Sequence, residues 1–364
     1  MPRPAALSRC YPAPVSVALP PVSYVMPVLN EAAHLAEAVA SVLSQDYPAE
    51  QEIVIALGSS TDATDEIAAG LAAADPRVTL VANPSNDVPI GLNRAIRSSR
   101  HPIVVRVDAH AVLPKDYTRR LVTLLTETGA ANIGGVMRAV GTTGFQQAVA
   151  RVYNSPWGLG GGQYHAGDQA GPAESAYLGV FRRDVLESVG LFDETMRRAQ
   201  DWELNSRIRA AGHLIWFTPD VEVEYRPRST PSKLARQMLA TGVWRGHLVR
   251  KQGRTPLKYL APPAVVLALA ASVLTAVLQV FGVVKDGPSA LLKLSYLAWP
   301  GYLGGVGLVA SASLGGRNVT DRVLNAVVLV IVHLSWGLGF LRGWVSGAES
   351  VVDTSRVQPR QPRT

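Results

Sequence analysis

Residues 259–284 carry no charged side chain, and Val, Leu and Ala dominate them. That run is longer than the ~20 residues a helix needs to cross the hydrocarbon core of a bilayer. Two further apolar stretches follow. Residues 294–314 are rich in glycine and interrupted by Pro300, and residues 323–341 carry His333. Three spans are predicted within 259–345. Immediately before the first lie Arg226, Arg228, Lys233, Arg236, Arg245, Arg250, Lys251, Arg254 and Lys258, with no Asp or Glu among residues 226–258. The positive-inside rule holds such a segment on the cytoplasmic side. It also attracts anionic lipid headgroups, at ~1 kcal/mol per residue close to the surface. Leu234, Met238 and Leu239 give it a modest apolar face, so residues 226–258 read as a basic, interfacial, amphipathic segment. Three spans place the polar tail, 346–364, outside, against the preference of Arg356, Arg360 and Arg363 for the inside. The expectation is a multi-pass protein of the cell membrane with a cytoplasmic head and an external C-terminus.

The 364 residues leave room for a catalytic domain of ordinary size, 22–225, ahead of the membrane region. Residues 1–21 are rich in Pro and Ala, and their apolar stretch is too short and too broken by proline for a signal peptide. They read as a flexible leader. Cys10 is the one cysteine, which excludes an internal disulfide and a Cys-rich zinc site and suits a reducing compartment. The formal net charge is +7. A basic balance suits nucleic acid, a nucleotide diphosphate or an anionic membrane, and location decides. Here the cations gather beside the first span, which favours anionic lipids and a diphosphate over nucleic acid.

The head alternates strand and helix patterns. Residues 22–26 form a first strand, and Asn30 is placed to cap a helix over 32–44 with Leu35, Val39 and Val42 as its buried stripe. Residues 53–57 form the next strand, and Asp62 is placed to cap a helix through Ile67 and Leu71. Residues 78–81, 90–98 and 103–107 repeat the pattern. Such alternation implies an α/β fold with a mostly parallel sheet and helices on both faces. Neither a G-x-G-x-x-G nor a Walker A sequence follows the first strand, which argues against a dinucleotide cofactor or a P-loop.

Asp108-Ala109-His110 ends the apolar run 103–107. Ligands collect at the carboxyl ends of strands in open α/β sheets, and a carboxylate and an imidazole there are suitable ligands for a divalent cation, Mg²⁺ or Mn²⁺. Two protein ligands cannot hold a hard ion alone, but a bound diphosphate completes the shell. Taken by itself, D-x-H is also what a solvated turn looks like. Residues 145–172 read as a long glycine-rich loop around Trp157, Tyr164 and His165, whose rings either stack on a sugar or base or are buried. Asp201 opens a helix through Leu204, Ile208 and Ala211 that stops at Gly212. There it suits both a helix cap and a carboxylate general base.

In order along the chain, Met26-Pro27-Val28-Leu29-Asn30-Glu31, Ser60-Thr61-Asp62, Gly91-Leu92-Asn93, Asp108-Ala109-His110, Gly179-Val180-Phe181-Arg182-Arg183, Gly190-Leu191-Phe192-Asp193-Glu194 and Gln200-Asp201-Trp202-Glu203 resemble the motifs of glycosyltransferase family 2. These are inverting nucleotide-sugar transferases with a GT-A fold, and the likeness is nearest to membrane-bound succinoglycan glucosyltransferases. Gln237 followed by Trp244-Arg245 is a loose version of the family's Q-x-x-R-W. The resemblance implies that Pro27, Leu29, Asn30, Glu31, Asn93, Asp108 and Arg245 bind the donor. It also implies that Asp108 and His110 hold the metal and that Asp201 is the base. Two departures stand out. Leu57 and Gly58 replace the acids that usually hold the nucleobase, and His110 replaces the second acid of D-x-D. The implied partners are a nucleotide-sugar donor and a lipid-linked or polysaccharide acceptor. Two alternatives remain, a polyprenyl-phosphate sugar synthase and a non-catalytic membrane scaffold with a degenerate donor site.

Overall fold

The computed structural model describes residues 18–158, 162–253, 255–285 and 288–348. Nearly all of the expected leader and tail lies outside them. The first half alternates as its pattern dictates: β1 (Val22–Val28), α1 (Leu35–Leu43), β2 (Gln51–Leu57), α2 (Thr64–Ala74), β3 (Val78–Ala82), α3 (Val88–Ser98) and β4 (Ile103–Arg106). Then come α4 (Tyr117–Thr128), β5 (Asn132–Ala139), α5 (Gly144–Tyr153), α6 (Gln163–Ala166), β6 (Gly171–Pro172), β7 (Val180–Arg182), α7 (Arg183–Ser188), α8 (Gln200–Ala210) and β8 (Ile215–Tyr225). The C-terminal part is helical: α9 (Pro231–Gln252), α10 (Ala261–Val280), α11 (Ala298–Ala312) and α12 (Val319–Ser346).

All eight strands form one sheet in the order β3-β2-β1-β4-β7-β5-β8-β6. It is mostly parallel, with β7 antiparallel to both β4 and β5, and β6 antiparallel to β8. Successive side chains point to opposite faces. Tyr24 and Met26 therefore enter a core with Leu35, Val39 and Leu121, while Val25 enters a second core with Leu92, Ile96 and Phe217. The expected buried stripe of α1 is present, but its start differs. His34 and Ala63, not Asn30 and Asp62, occupy the N-cap positions of α1 and α2. Those two polar side chains shape the loops instead.

Residues read as a glycine-rich loop contain α5. Its start is a capping box: Thr143 Oγ1 accepts from the Gln146 N–H, and Gln146 Oε1 accepts from the Thr143 N–H. The T-x-x-Q signature was visible in the sequence, and the glycines downstream of it masked the helix.

α9 and α12 are held together by reciprocal glycines spaced four apart. A Cβ on Gly242 would sit 2.1 Å from the Trp336 carbonyl oxygen, and one on Gly246 2.1 Å from that of Phe340. A Cβ on Gly339 would sit 2.2 Å from the Leu239 oxygen, and one on Gly343 1.9 Å from that of Val243. The paired numbers rise together, so the helices run parallel with their backbones in contact. Small residues at this spacing are what such an approach requires. Gly343→Leu is expected to force the helices apart and cost about 1–3 kcal/mol or more by overpacking, read as a lowered unfolding temperature of the purified protein.

The expected second span is not one helix. Residues Pro288–Leu297 form a 3-10 segment, and α11 has 15 residues. At 1.5 Å per residue α11 is ~22 Å long, short of a ~30 Å hydrocarbon core. Two helical stretches, Leu257–Val280 and α12, are long and apolar enough to cross a membrane. Ala348 is buried with Met196, Val243, Trp244 and Leu248, so the last described residues pack against the head.

Candidate functional site

A cavity of about 920 Å³ lies over the carboxyl ends of β1 and β4. Pro27, Leu29, Asn30 and Glu31 form one wall, and Asp108, His110 and Asp201 also line it. Asn30 adopts φ 55°, a left-handed conformation that Asn tolerates better than most residues. Its Oδ1 accepts from the N–H and hydroxyl of Thr61 at 2.7 and 3.2 Å, and its own N–H donates to Ser60 Oγ at 3.2 Å. The turn after β1 is thus tied to the loop after β2. Asp62 accepts from the N–H groups of Ala32 and Thr64 and from the Thr64 hydroxyl. Burial alone would raise its pKa, but these hydrogen bonds outweigh it and hold the carboxyl below the usual range.

The absence of acids at 57 and 58 has a steric counterpart. A Cβ on Gly58 would come 2.8 Å from Asn86 Oδ1 and 3.0 Å from Leu29 Cδ1. Asn86 Oδ1 accepts from the Ser59 N–H at 2.7 Å, fixing that loop. Leu57 pairs with Val28 and does not line the cavity, whereas Asn83 and Asn86 do. Sequence reasoning missed both asparagines. Their signal was the turn cluster Asn83-Pro84-Ser85-Asn86 between β3 and α3.

Arg106 is the centre of the charged group and was also missed. Its side chain is 7% exposed and bridges two carboxylates. Nη2 donates to Asp108 Oδ1 at 3.0 Å, and Nη1 donates to Asp201 Oδ1. Burial would lower the guanidinium pKa, but the two carboxylates more than offset this and raise it. Asp201 does not cap its helix: the N-cap of α8 is Ala199, with no side-chain cap. Its carboxyl pKa is raised, chiefly by desolvation, with Arg106 opposing the shift and Asp108 adding to it. His110 Nδ1 lies 3.0 Å from Glu31 Oε1. Among the described residues no group of three or more His, Cys, Asp or Glu is placed to hold a metal. Asp108 and His110 offer one carboxylate and one imidazole, a donor set that would need further ligands from a diphosphate and water to hold a divalent ion.

Two residues that the resemblance assigns to the donor are not on the cavity wall. Asn93 is buried; its Nδ2 donates to the Phe192 carbonyl and to Glu194 Oε1, both at 2.9 Å, and its Oδ1 accepts from the Phe192 N–H at 3.0 Å. It clamps the 190–194 turn onto α3. Arg245 packs over two touching rings, 3.6 Å from the Trp202 centroid and 4.2 Å from that of Tyr259, and Nη2 donates to Thr255 Oγ1 at 3.1 Å. Burial lowers its pKa to about 10, and stacking on two aromatic faces makes it a positioning element for Trp202. The cations on the wall are Arg106, Arg197, Arg198, Arg226, Arg228, Lys233 and Lys258. Gln237 lines the cavity and donates to the Tyr225 hydroxyl at 2.9 Å. Tyr164 and His165 also line it, and burial pushes the His165 pKa down to about 3, so that ring is neutral. Trp157 is half exposed and is not part of the wall.

Residues 23–190 match the family described as Glycosyl transferase family 2. The succinoglycan biosynthesis protein ExoA of Rhizobium meliloti is 33% identical over 320 residues, covering 87% of this chain and 93% of that protein. A dolichyl N-acetyl-alpha-D-glucosaminyl phosphate 3-beta-D-2,3-diacetamido-2,3-dideoxy-beta-D-glucuronosyltransferase of Methanococcus voltae is 22% identical over 294 residues, 77% of this chain and 91% of that one. Among solved structures, the mannosyltransferase PcManGT from Pyrobaculum calidifontis, in complex with GDP-Man and Mn²⁺, superimposes with a TM-score of 0.58. It is 21% identical and the match covers 90% of this chain and 88% of that one, which shows a shared GT-A fold. The fold alone is common to many activities. Identity that extends across nearly the whole of this chain and of ExoA decides the matter: the chain belongs to glycosyltransferase family 2.

Proposed function

We propose that this glycosyltransferase is membrane-bound and inverting. It moves a hexosyl group from a nucleotide-diphosphate donor to a hydroxyl of a lipid-linked or growing cell-surface glycan. The observation that carries this reading is the continuity of the cavity. Its lining includes Pro27, Asn30 and Asp108 and also Tyr259, Pro262, Val332 and Trp336 of the C-terminal region; Arg106 ties Asp201 to Asp108, and the neighbouring Trp202 packs on Tyr259. A donor at the first group and a lipid-borne acceptor at the second would meet at Asp201. The names of the relatives point the same way, to succinoglycan biosynthesis and to a dolichyl-phosphate-linked sugar.

The acceptor hydroxyl must lose a proton as it attacks the sugar from the face opposite the leaving diphosphate. Asp201 takes that proton. Arg106 holds the Asp201 and Asp108 carboxylates in fixed relation, and Arg197 and Arg198 add positive charge to the cavity lining. A divalent ion, Mg²⁺ or Mn²⁺, held by Asp108 and His110 would stabilise the charge that develops on the leaving group. A polyprenyl-phosphate acceptor is already ionised and would leave Asp201 without a task. The head faces the cytoplasm, where nucleotide sugars are made. Leu234 and Met238 are buried in the protein instead of facing lipid, and Arg236, Arg250 and Lys251 are exposed cations of α9 that would meet anionic headgroups.

The test is a panel of nucleotide sugars against the purified protein, reading nucleoside diphosphate release with and without Mn²⁺ or Mg²⁺. Release that depends on both an acceptor and a metal is expected. With Asn83, Asn86 and backbone groups in place of acids at the base wall, discrimination among nucleotides should be weaker than in relatives with Asp there. A sharp UDP preference abolished by Leu57→Ala but untouched by changes at Pro27 would refute that expectation.

The pH profile follows from the raised Asp201 pKa. The base must be ionised, so kcat/KM should rise with pH through a limb that lies above the ordinary aspartate range. Arg106→Gln removes the group that opposes the shift, so the limb should move to still higher pH. A limb that stays in place in this variant would detach Asp201 from the profile.

A further inference from the structure

α12 has the length and apolarity of a membrane span, yet both its ends touch the same folded head. Near its start, Asn325 Oδ1 accepts from Arg151 Nε of α5 at 2.8 Å, and Asp321 Oδ1 lies 3.5 Å from Arg151 Nη2. Midway, His333 Nε2 lies 2.8 Å from the Trp157 carbonyl oxygen. Near its end, Gly339 and Gly343 abut Leu239 and Val243, and the Val345 carbonyl accepts from Arg250 Nη1 at 2.7 Å. From Asp321 to Val345 a helix covers ~36 Å, more than the ~30 Å of hydrocarbon in a bilayer. If α12 stood across the membrane, Arg151 and Arg250 would lie on opposite sides of it, with the structure joining them immersed in lipid. The neighbour α9 leads to the same result. It carries Lys233, Arg236, Arg250 and Lys251, which do not enter hydrocarbon cheaply, and α12 runs parallel to it in backbone contact. α11 lies antiparallel along α12, with Tyr302 near His333 and the Ala310 carbonyl near Asn325.

We propose that α12, with α11 beside it, lies in the plane of the membrane on the surface of the head. The outward face of the C-terminal helices is embedded in a single anionic leaflet, and α12 does not cross. The surface fits that occupant. Val323, Val327, Leu338 and Trp344 of α12 are exposed, as are Leu303 and Leu308 of α11 and Leu274 and Val277 of α10, large apolar side chains of the kind that mark a membrane contact when they gather on one surface. Residues 251–346 hold eight Lys and Arg against Asp286 and Asp321, and Asp321 is already paired with Arg151. An apolar face bordered by cations is what an anionic leaflet selects. This replaces the three-span reading of the sequence and rests on the membrane attachment proposed above.

The experiment uses the full chain in a Cys10→Ser background, with Arg317→Cys or Ser313→Cys at the α11–α12 turn and Ser346→Cys at the end of α12. Membranes are first washed with alkaline carbonate, and glycosyl transfer by each variant is measured as a folding control. A membrane-impermeant thiol reagent is then applied to inside-out and right-side-out vesicles. The in-plane arrangement gives labelling of both ends of α12 from the head's face and none from the other. Labelling of the two ends from opposite faces overturns it and leaves the glycosyltransferase reading intact. Release of active protein by the carbonate wash overturns the membrane attachment itself.

Discussion

Asp201→Asn is expected to lower glycosyl transfer by about 10² or more while donor binding persists, the usual effect of losing a placed proton acceptor. The change keeps the size of the side chain and leaves an amide oxygen for Arg106, which also retains Asp108 as an ionic partner. Asp201 does not cap α8, so the exchange removes no cap and costs the helix only the dipole interaction of a first-turn carboxylate, about 0.3–1 kcal/mol. Turnover and donor affinity should therefore separate, the first falling and the second holding. Calorimetric titration with a nucleoside diphosphate beside a transfer assay reads both. Transfer at the parental rate would remove Asp201 from the mechanism, and loss of binding together with loss of fold would make it a structural residue.

Asp108→Ala is expected to have a comparable or larger effect. Charge on a departing diphosphate is worth several kcal/mol of stabilisation by a bound divalent ion, so transfer should fall about 10³-fold or more. Donor affinity should lose its response to Mn²⁺ or Mg²⁺. His110→Ala should weaken transfer less and change which metal serves best, because an imidazole favours Mn²⁺ over Mg²⁺. Arg106 keeps Asp201 as a partner in either variant, so the buried guanidinium is not left unpaired. A metal titration of both variants, run against an EDTA control, checks the assignment. Full activity of Asp108→Ala in excess EDTA would refute it.

The parts of the site legible in the sequence were those at strand ends, where β1 and β4 deliver Pro27, Asn30, Glu31, Asp108 and His110 to one cavity. Arg106 was overlooked although it left a trace. A single cation inside Ile103-Val104-Val105-Arg106-Val107 must be paired if the strand is buried. Its partners were 2 and 95 residues away, and only the fold brings the distant one in. Asn93 was assigned by its place in a motif, and nothing local distinguishes an amide that faces a ligand from one that clamps a turn. Arg245 was assigned by a loose motif resemblance, and nothing local showed that its guanidinium packs over Trp202 and Tyr259. The apolar helices misled for a related reason. Length and hydropathy say that a helix avoids water, and whether lipid or the head receives its faces depends on contacts such as Gly343 with Val243.

The packing at Gly58 also restricts the routes by which this scaffold can change its nucleotide. A side chain there needs Asn86 to shrink or turn away, since its Oδ1 stands 2.8 Å from where a Cβ would be. Losing Asn86 first releases the Ser59 N–H and loosens the loop that the new residue is meant to join. An acid at position 58 is therefore coupled to Asn86: it fits only as that side chain gives way, and the Ser59 N–H then needs a new acceptor, which the incoming carboxylate could supply.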